Sequence, residues 1–392
     1  MPSGTRLSSR ALLTGLYLIV FLSLIPQSSV AQTRACTAPL RELVEAATGR
    51  VQVRKRSLEE LPQLRFGTYN TLNLTQSADG AALKSEEKRL GVAAAILDND
   101  LDVAVLQEVE DLQKCKDYAR DYLKDRYEVL LSTGNDKRGI QVAYLVKKDL
   151  PFKIKLDSNA NARAVYPVTG QEIPIFSRDL PALRIWADSQ NAEAEDPLVV
   201  FYGTHFKSKR SKDGDSESRI LRRTQVEAAA SIIRKDRDAH PSTFMMIAGD
   251  FNGDVHKDAE FQPIKEILAD AFDLQPKKLN EVDRITHTFH PRDGATQFSQ
   301  IDAFFVSEDK ARYIEEAFVH RYKDANGKIK PVPQTWDERE LNPSDHFPVI
   351  FKMNFRKLLQ ERSVLRRDAA FLPLRLLPAP ARSRILPLPV AA

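Results

Sequence analysis

Two cysteines, Cys36 and Cys115, are all that 392 residues provide. That excludes a disulfide-stapled scaffold, and a closed thiolate metal site, which usually takes four ligands, is excluded with it. One bridge between the two and two separate thiols both stay open. Beyond the first 31 residues no apolar run reaches the length of a membrane span, and the lack of an internal repeat excludes a repeat array. Charge of one sign is not in excess either. Lys and Arg number 58 against 54 Asp and Glu, a net charge of +4, so any electrostatic argument about partners rests on local clusters. What is present is an ordinary apolar fraction, 42%, enough for one large domain or two smaller ones with a buried core.

Arg6 and Arg10 precede an apolar stretch at 11–25, and Ser29-Val30-Ala31 offers small residues before Gln32. This is the pattern of a secretory signal peptide over 1–31, which predicts a secreted or periplasmic protein; an uncleaved anchor is the alternative. A lead-in at 32–60, with a short helix at 40–47, is expected to precede a folded core at 61–355. From 356 the chain becomes rich in Pro, Leu and Arg and is expected to be a disordered tail, since proline breaks helix and strand alike. Its Arg366, Arg367, Arg375, Arg382 and Arg384 suit a polyanion or membrane surface, or a solvated extension without a chemical role.

Within the core, alternation at 64–70 predicts a strand ending on Asn70. Helical spacing at 86–97 leads to a nearly continuous apolar strand at 101–106 that runs into Gln107 and Glu108. Further strands are expected at 140–146, 198–202, 243–247, 301–306 and 347–353, and helices at 221–234 and 261–269. Short buried strands interleaved with helices favour a layered α/β architecture with two packed sheets and outer helices.

Polar residues gather where these strands end. A carboxylate such as Glu108, emerging from a buried strand, is costly unless it meets a cation, and hard divalent ions take oxygen ligands of this kind; a solvated loop glutamate is the plain reading. In Gly249-Asp250-Phe251-Asn252-Gly253 an acid and an amide two residues apart can orient a water and hold a phosphoryl oxygen, or simply form a turn. Asp345-His346 at the mouth of one strand and Asp302 at the start of another suit a carboxylate that fixes an imidazole, in acid/base chemistry or as a structural pair. His205 ends a strand and is followed by Lys207, Lys209 and Arg210, cations that suit a phosphate-bearing substrate unless they are a solvated loop.

Asn70 in Gly-Thr-Tyr-Asn, Glu108 in Leu-Gln-Glu-Val, His205 in Gly-Thr-His-Phe-Lys-Ser, Asp250 and Asn252 in Gly-Asp-Phe-Asn, Asp302 in Gln-Ile-Asp, and Asp345-His346 in Ser-Asp-His-Phe-Pro resemble, in order and spacing, the endonuclease/exonuclease/phosphatase superfamily. The resemblance implies a DNase I-like, four-layered α/β sandwich of two packed mixed β-sheets flanked by helices. It implies Asn70, Glu108 and Asp345 as ligands of Mg²⁺ (or Mn²⁺/Ca²⁺), His205, Asp250, Asn252, Asp302 and His346 as catalytic residues, and in-line attack by water. Leu72 stands where DNA-repair members carry a second acid or amide, and His205 where they tend to have Tyr. The chain is therefore more similar to exported nucleases and sphingomyelinase-like lipases.

His205-Phe206-Lys207-Ser208-Lys209 is similar to the motif of bacterial extracellular nucleases, with Lys207, Lys209 and Asn252 as phosphate contacts. A nuclease acting on DNA or RNA is the first expectation. Membrane lipid as substrate, in a sphingomyelinase or phospholipase C, calls for an exposed apolar hairpin that the sequence does not announce. A phosphomonoesterase also stays open. An inactive binding protein on the same fold is opposed by intact Glu108, Asp250, Asp302 and His346. No protein partner is evident, and the loops at 157–179 and 208–218 are expected to decide the substrate.

Overall fold

Strands whose apolar residues fill both faces must be covered on both sides, and this requirement builds the molecule in layers. The computed structural model describes residues 53–74, 84–187, 195–291 and 294–371, with side chains to 363. The expected signal peptide at 1–31, the helix at 40–47, Cys36 with its bridge to Cys115, and the proline-rich run from 372 lie outside the described residues.

One six-stranded sheet contains β1 (Leu64–Asn70), β2 (Val103–Val109), β3 (Tyr127–Ser132), β4 (Gln141–Lys147), β15 (Ile314–Val319) and β16 (Val349–Met353), in the order β15-β16-β1-β2-β4-β3. The other contains β5 (Phe152–Asp157), β8 (Ala182–Ala187), β9 (Val199–His205), β10 (Phe244–Asp250), β11 (Ala269–Asp270) and β14 (Asp302–Val306), in the order β11-β14-β10-β9-β8-β5. β1 and β2 run parallel, as do β9 and β10, and the other neighbours are antiparallel. Two hairpins stand apart, β6 (Arg163–Tyr166) with β7 (Gln171–Pro174) and β12 (His287–Phe289) with β13 (Gln297–Ser299).

Period-two alternation decides which side chains fill which layer. Between the sheets, Phe66 meets Phe201 edge-on with centroids 5.8 Å apart, and Phe304 stacks on Phe351 at 5.4 Å. Val200, Tyr202, Met245 and Ile247 face the other way and pack with Val226, Ala229 and Ile233 of α3 (Arg219–Ala239). Helices α1 (Glu86–Asp98) and α2 (Leu112–Tyr122) bury Val92, Ala95, Ile96, Tyr118 and Ala119 in the core shared with the first sheet. The expected four-layered α/β sandwich is therefore observed.

Two expectations are corrected. The helix at 261–269 is limited to a turn at Ala259–Phe261 and α4 (Gln262–Lys265), because Ala269 and Asp270 are taken up in pairing with β14. Residues 356–371 belong not to a disordered tail but to the helix Phe355–Phe371. This stretch holds no proline before Pro373, Leu358 is buried, and Arg362 donates to Pro197 O at 2.7 Å and Ser242 Oγ at 2.7 Å.

Gly249 lies where β10 passes close to β9: a Cβ there would sit 1.9 Å from Thr204 O, at a φ of +154°. Gly139, at φ +77°, has nothing within 4 Å of its would-be Cβ. Gly249→Ala is expected to cost roughly 3 kcal/mol or more, by forcing two paired strands apart, and Gly139→Ala only about 1 kcal/mol of backbone strain. Urea unfolding midpoints of the two variants check this; equal shifts would remove the crowding argument.

Candidate active site

The residues picked out in the sequence meet at one end of the sandwich because the parallel strand pairs end there. In the second sheet Asp250 is the register partner of His205 on one side and of Asp302 on the other, a row of three ionisable side chains across β9, β10 and β14. In the first sheet Asn70 pairs with Gln107, and Glu108 follows. Asn70 Nδ2 crosses between the sheets and donates to Asp250 Oδ2 at 2.9 Å.

Glu108 owes its direction to an irregularity. Gln107 faces Val142 and Val109 faces Gln141, so Glu108 is the extra residue of a bulge, with φ 59°. Bulges re-aim side chains, and a non-glycine residue in the left-handed region costs on the order of 1 kcal/mol or more. Leu72 (51°), Asn73 (57°) and Asn252 (56°) share that conformation, and Leu74 N donates to Glu108 O at 3.1 Å. Four of the left-handed non-glycine residues thus lie in the loops around these side chains.

Asp250 Oδ2 is the meeting point. Asn70 Nδ2 and Asn252 Nδ2 donate to it at 2.9 and 3.0 Å, His205 Nε2 lies 3.4 Å away and His346 Nε2 3.9 Å away. The Asn252 amide also donates to Phe206 O at 3.0 Å. Both N–H groups of the Asn252 amide are therefore engaged in holding Asp250 and Phe206 O. Burial pushes the Asp250 carboxyl upward against the pull of His346, and Asp302 adds to the push.

The two histidines are in opposite states. Burial, with repulsion from Arg178 and His346, holds His205 far below its ordinary value, so it is neutral. Burial also opposes charge on His346, but Asp302 and Asp250 outweigh it and push it up to about 10. His346 Nδ1 donates to Asp302 Oδ2 at 2.9 Å, the pairing expected from the sequence.

Asp345 lies 3.7 Å from His287 Nε2 and 3.3 Å from Arg339. Burial works against its ionisation, yet His287, His346 and Arg339 hold it well below the usual carboxylate range. His287 was not foreseen. Its ring centroid is 4.7 Å from that of His346, but in sequence it stands in Thr-His-Thr-Phe with no acid beside it; its only signal was scarcity, since the chain has 7 histidines. Arg178 was missed as well, and it donates to Phe206 O at 2.9 Å. Lys207 is half-buried, whereas Lys209 is exposed.

Acid and imidazole atoms come within 4.8 Å of one another in two trios among the described residues, His287–Asp345–His346 and Asp250–Asp302–His346. Glu108 stands outside both; its carboxylate meets Asn70 Nδ2 at 3.5 Å. Burial pushes Glu108 upward, and Asp345 and Asp250 add to this against His346. Two carboxylates, Glu108 and Asp345, and the neutral amide oxygen of Asn70 are oxygen donors of the kind a hard divalent ion takes.

Glu108→Gln is therefore expected to raise the unfolding temperature at pH 7 in EDTA. A carboxyl raised in the fold binds more protons there than in the unfolded chain, so its ionisation lowers stability as pH rises above the unfolded value. Millimolar Mg²⁺ is expected to stabilise the wild-type protein and to leave the variant unmoved. Equal Mg²⁺ responses would remove Glu108 from the ligands.

No family model and no curated protein match the sequence. Solved structures do match. A truncated TDP2 from Caenorhabditis elegans aligns with a TM-score of 0.50 and 17% identity, over 74% of this chain and 97% of its own. An endonuclease/exonuclease/phosphatase family protein from Bacteroides thetaiotaomicron aligns at 0.49 and 15%, over 74% and 97%. A mannosyl-6-phosphatase from the same organism aligns at 0.48 and 16%, over 74% and 99%. At this identity the likeness is one of fold: the chain has a DNase I-like, two-sheet α/β sandwich fold, shared with the truncated TDP2.

Proposed function

We propose that this protein is a divalent-metal-dependent phosphodiesterase that hydrolyses nucleic acid. The observation that carries the proposal is the convergence on Asp250 Oδ2 of a neutral His205 at 3.4 Å and a cationic His346 at 3.9 Å. Base, cation and neutral imidazole therefore share one buried point.

Asp250, upheld by Asn70 and Asn252, orients a water for in-line attack and accepts its proton; a raised carboxyl suits a general base. His346, turned by Asp302, presents a charged N–H to the phosphoryl group as negative charge develops. Neutral His205 steadies the opposite side of the water. Glu108, Asn70 and Asp345 would hold the ion, whose charge polarises the phosphoryl oxygen and stabilises the leaving oxyanion.

Support for a polynucleotide over a lipid comes from the loop at 157–179. It contains the β6–β7 hairpin, whose exposed Val165 and Val168 stand beside exposed Arg163, Gln171 and Glu172, so no continuous apolar face is available for a bilayer. Export is part of the proposal and rests on Arg6, Arg10 and the apolar stretch at 11–25.

The purified mature protein is expected to release acid-soluble nucleotides from plasmid DNA or total RNA with Mg²⁺, Mn²⁺ or Ca²⁺ and to stop in EDTA. Asp250→Asn is expected to lower kcat at least ~100-fold with circular dichroism unchanged. Intact nucleic acids together with phosphocholine release from sphingomyelin, or phosphate release from a monoester, would overturn the substrate; no hydrolysis of any of these would overturn the enzyme.

A further inference from the structure

Beside the catalytic cluster, a cavity of about 470 Å³ opens between the loop joining β3 to β4, the segment after β7, and the loop after β9. Its walls include Lys137, Arg138, Arg178, Lys207, Arg210 and Lys212. The one carboxylate in those walls is Asp136, already held by Arg138 Nη2 at 2.9 Å and Arg178 Nε at 3.2 Å. Lys212 has a loose contact of 3.6 Å with Asp213, and the nearby Asp215 is spent on the amides of Ile220 and Leu221 at the start of α3. Positive charge here far exceeds the negative charge that faces it.

Two side chains show the consequence. Among the described residues, Lys207 Nζ finds only neutral acceptors, Ser208 O at 3.3 Å, Ser208 Oγ at 3.4 Å and Arg210 O at 3.2 Å; burial and the cations Arg178, Arg138, Lys212 and Arg210 push it down to about 8. Arg178 is 5% exposed and donates to Phe206 O, the same carbonyl that accepts from Asn252. One acceptor therefore links the wall of the cavity to the catalytic Asp250–Asn252 pair. Pro174 and Ile173 add an apolar edge on which a sugar or base can rest.

We propose that this cavity is a second phosphate subsite, which receives the phosphate next to the scissile one along a nucleic-acid strand. The proposal rests on the nuclease reading and narrows it. A substrate with a single phosphate brings no second anion to this cavity, and a choline headgroup would bring a cation into a cationic cavity, whereas a strand supplies a second anion at a fixed distance from the first.

The test compares a trinucleotide with bis(p-nitrophenyl) phosphate, which carries one diester and no neighbour. Arg138 and Lys212 are exposed, so Arg138→Ala/Lys212→Ala is expected to fold. In this variant the ratio of kcat/KM for the trinucleotide to that for the small diester is expected to fall at least tenfold, mostly through KM, with Arg138→Lys retaining most of it. Anisotropy of a labelled, non-hydrolysable trinucleotide is expected to show at least a tenfold weaker Kd, and a slope of log K against log salt reduced by about 0.7, the value for one single-strand phosphate. A wild-type protein that cleaves the trinucleotide, with an unchanged ratio and Kd in the double variant, overturns the subsite alone. A wild-type protein that cleaves the small diester and neither binds nor cleaves the trinucleotide overturns the nuclease reading and the subsite together.

Discussion

The hydrogen bond from Asn70 Nδ2 to Asp250 Oδ2, 2.9 Å long, joins the two sheets at the end where the ionisable groups collect. Everything else at that end is arranged around the oxygen that accepts it. The Asn252 amide fixes the same oxygen, and both imidazoles approach it. A carboxylate so deeply buried is tolerable only when its lone pairs are satisfied, and here the satisfying donors come from both halves of the sandwich. The aromatic core of Phe66, Phe201, Phe304 and Phe351 sets the spacing of the sheets, and through it the length of this bond.

Charge is distributed unequally around that point. Glu108 and Asp345 load one side with negative charge, while Arg178 and the loops at 133–140 and 207–212 load the other with positive charge. Neither load favours folding on its own, and each is only partly offset within the protein, the first by His287 and Arg339 beside Asp345 and the second by Asp136. Under the proposed function both have a purpose: a divalent ion relieves the first and the substrate's phosphates the second. The left-handed backbone at Leu72, Asn73, Glu108 and Asn252 has the same character, strain kept where side chains must be aimed.

The fold by itself does not choose among these activities. A two-sheet α/β sandwich is a scaffold that can host unrelated chemistries, so the substrate must be argued from the loops that surround the site. In this chain those loops are basic near Lys207 and mixed in polarity along the β6–β7 hairpin. It is on their chemistry, rather than on the topology, that the proposed nuclease function rests.

Much of the architecture was legible in the order of residues. Alternation located β1, and nearly continuous apolar runs located β2, β4, β9, β10, β14 and β16 to within a few residues, because strands buried on both faces are uniformly apolar. The polar residues where these strands stop named Asn70, Glu108, His205 and Asp250, and those where two later strands start named Asp302 and His346. The helix foreseen at 261–269 failed because strand pairing with β14 claimed Ala269 and Asp270, a long-range competition that local spacing does not express. The helix Phe355–Phe371 was hidden by the prolines that follow it. The sequence by itself determined which side chains end the strands and which strands are buried. Only the tertiary structure decided that His287 and Arg178 join the site, that the Asn252 amide turns toward Asp250, and that a bulge aims Glu108, because each depends on backbone geometry and on neighbours distant in the chain.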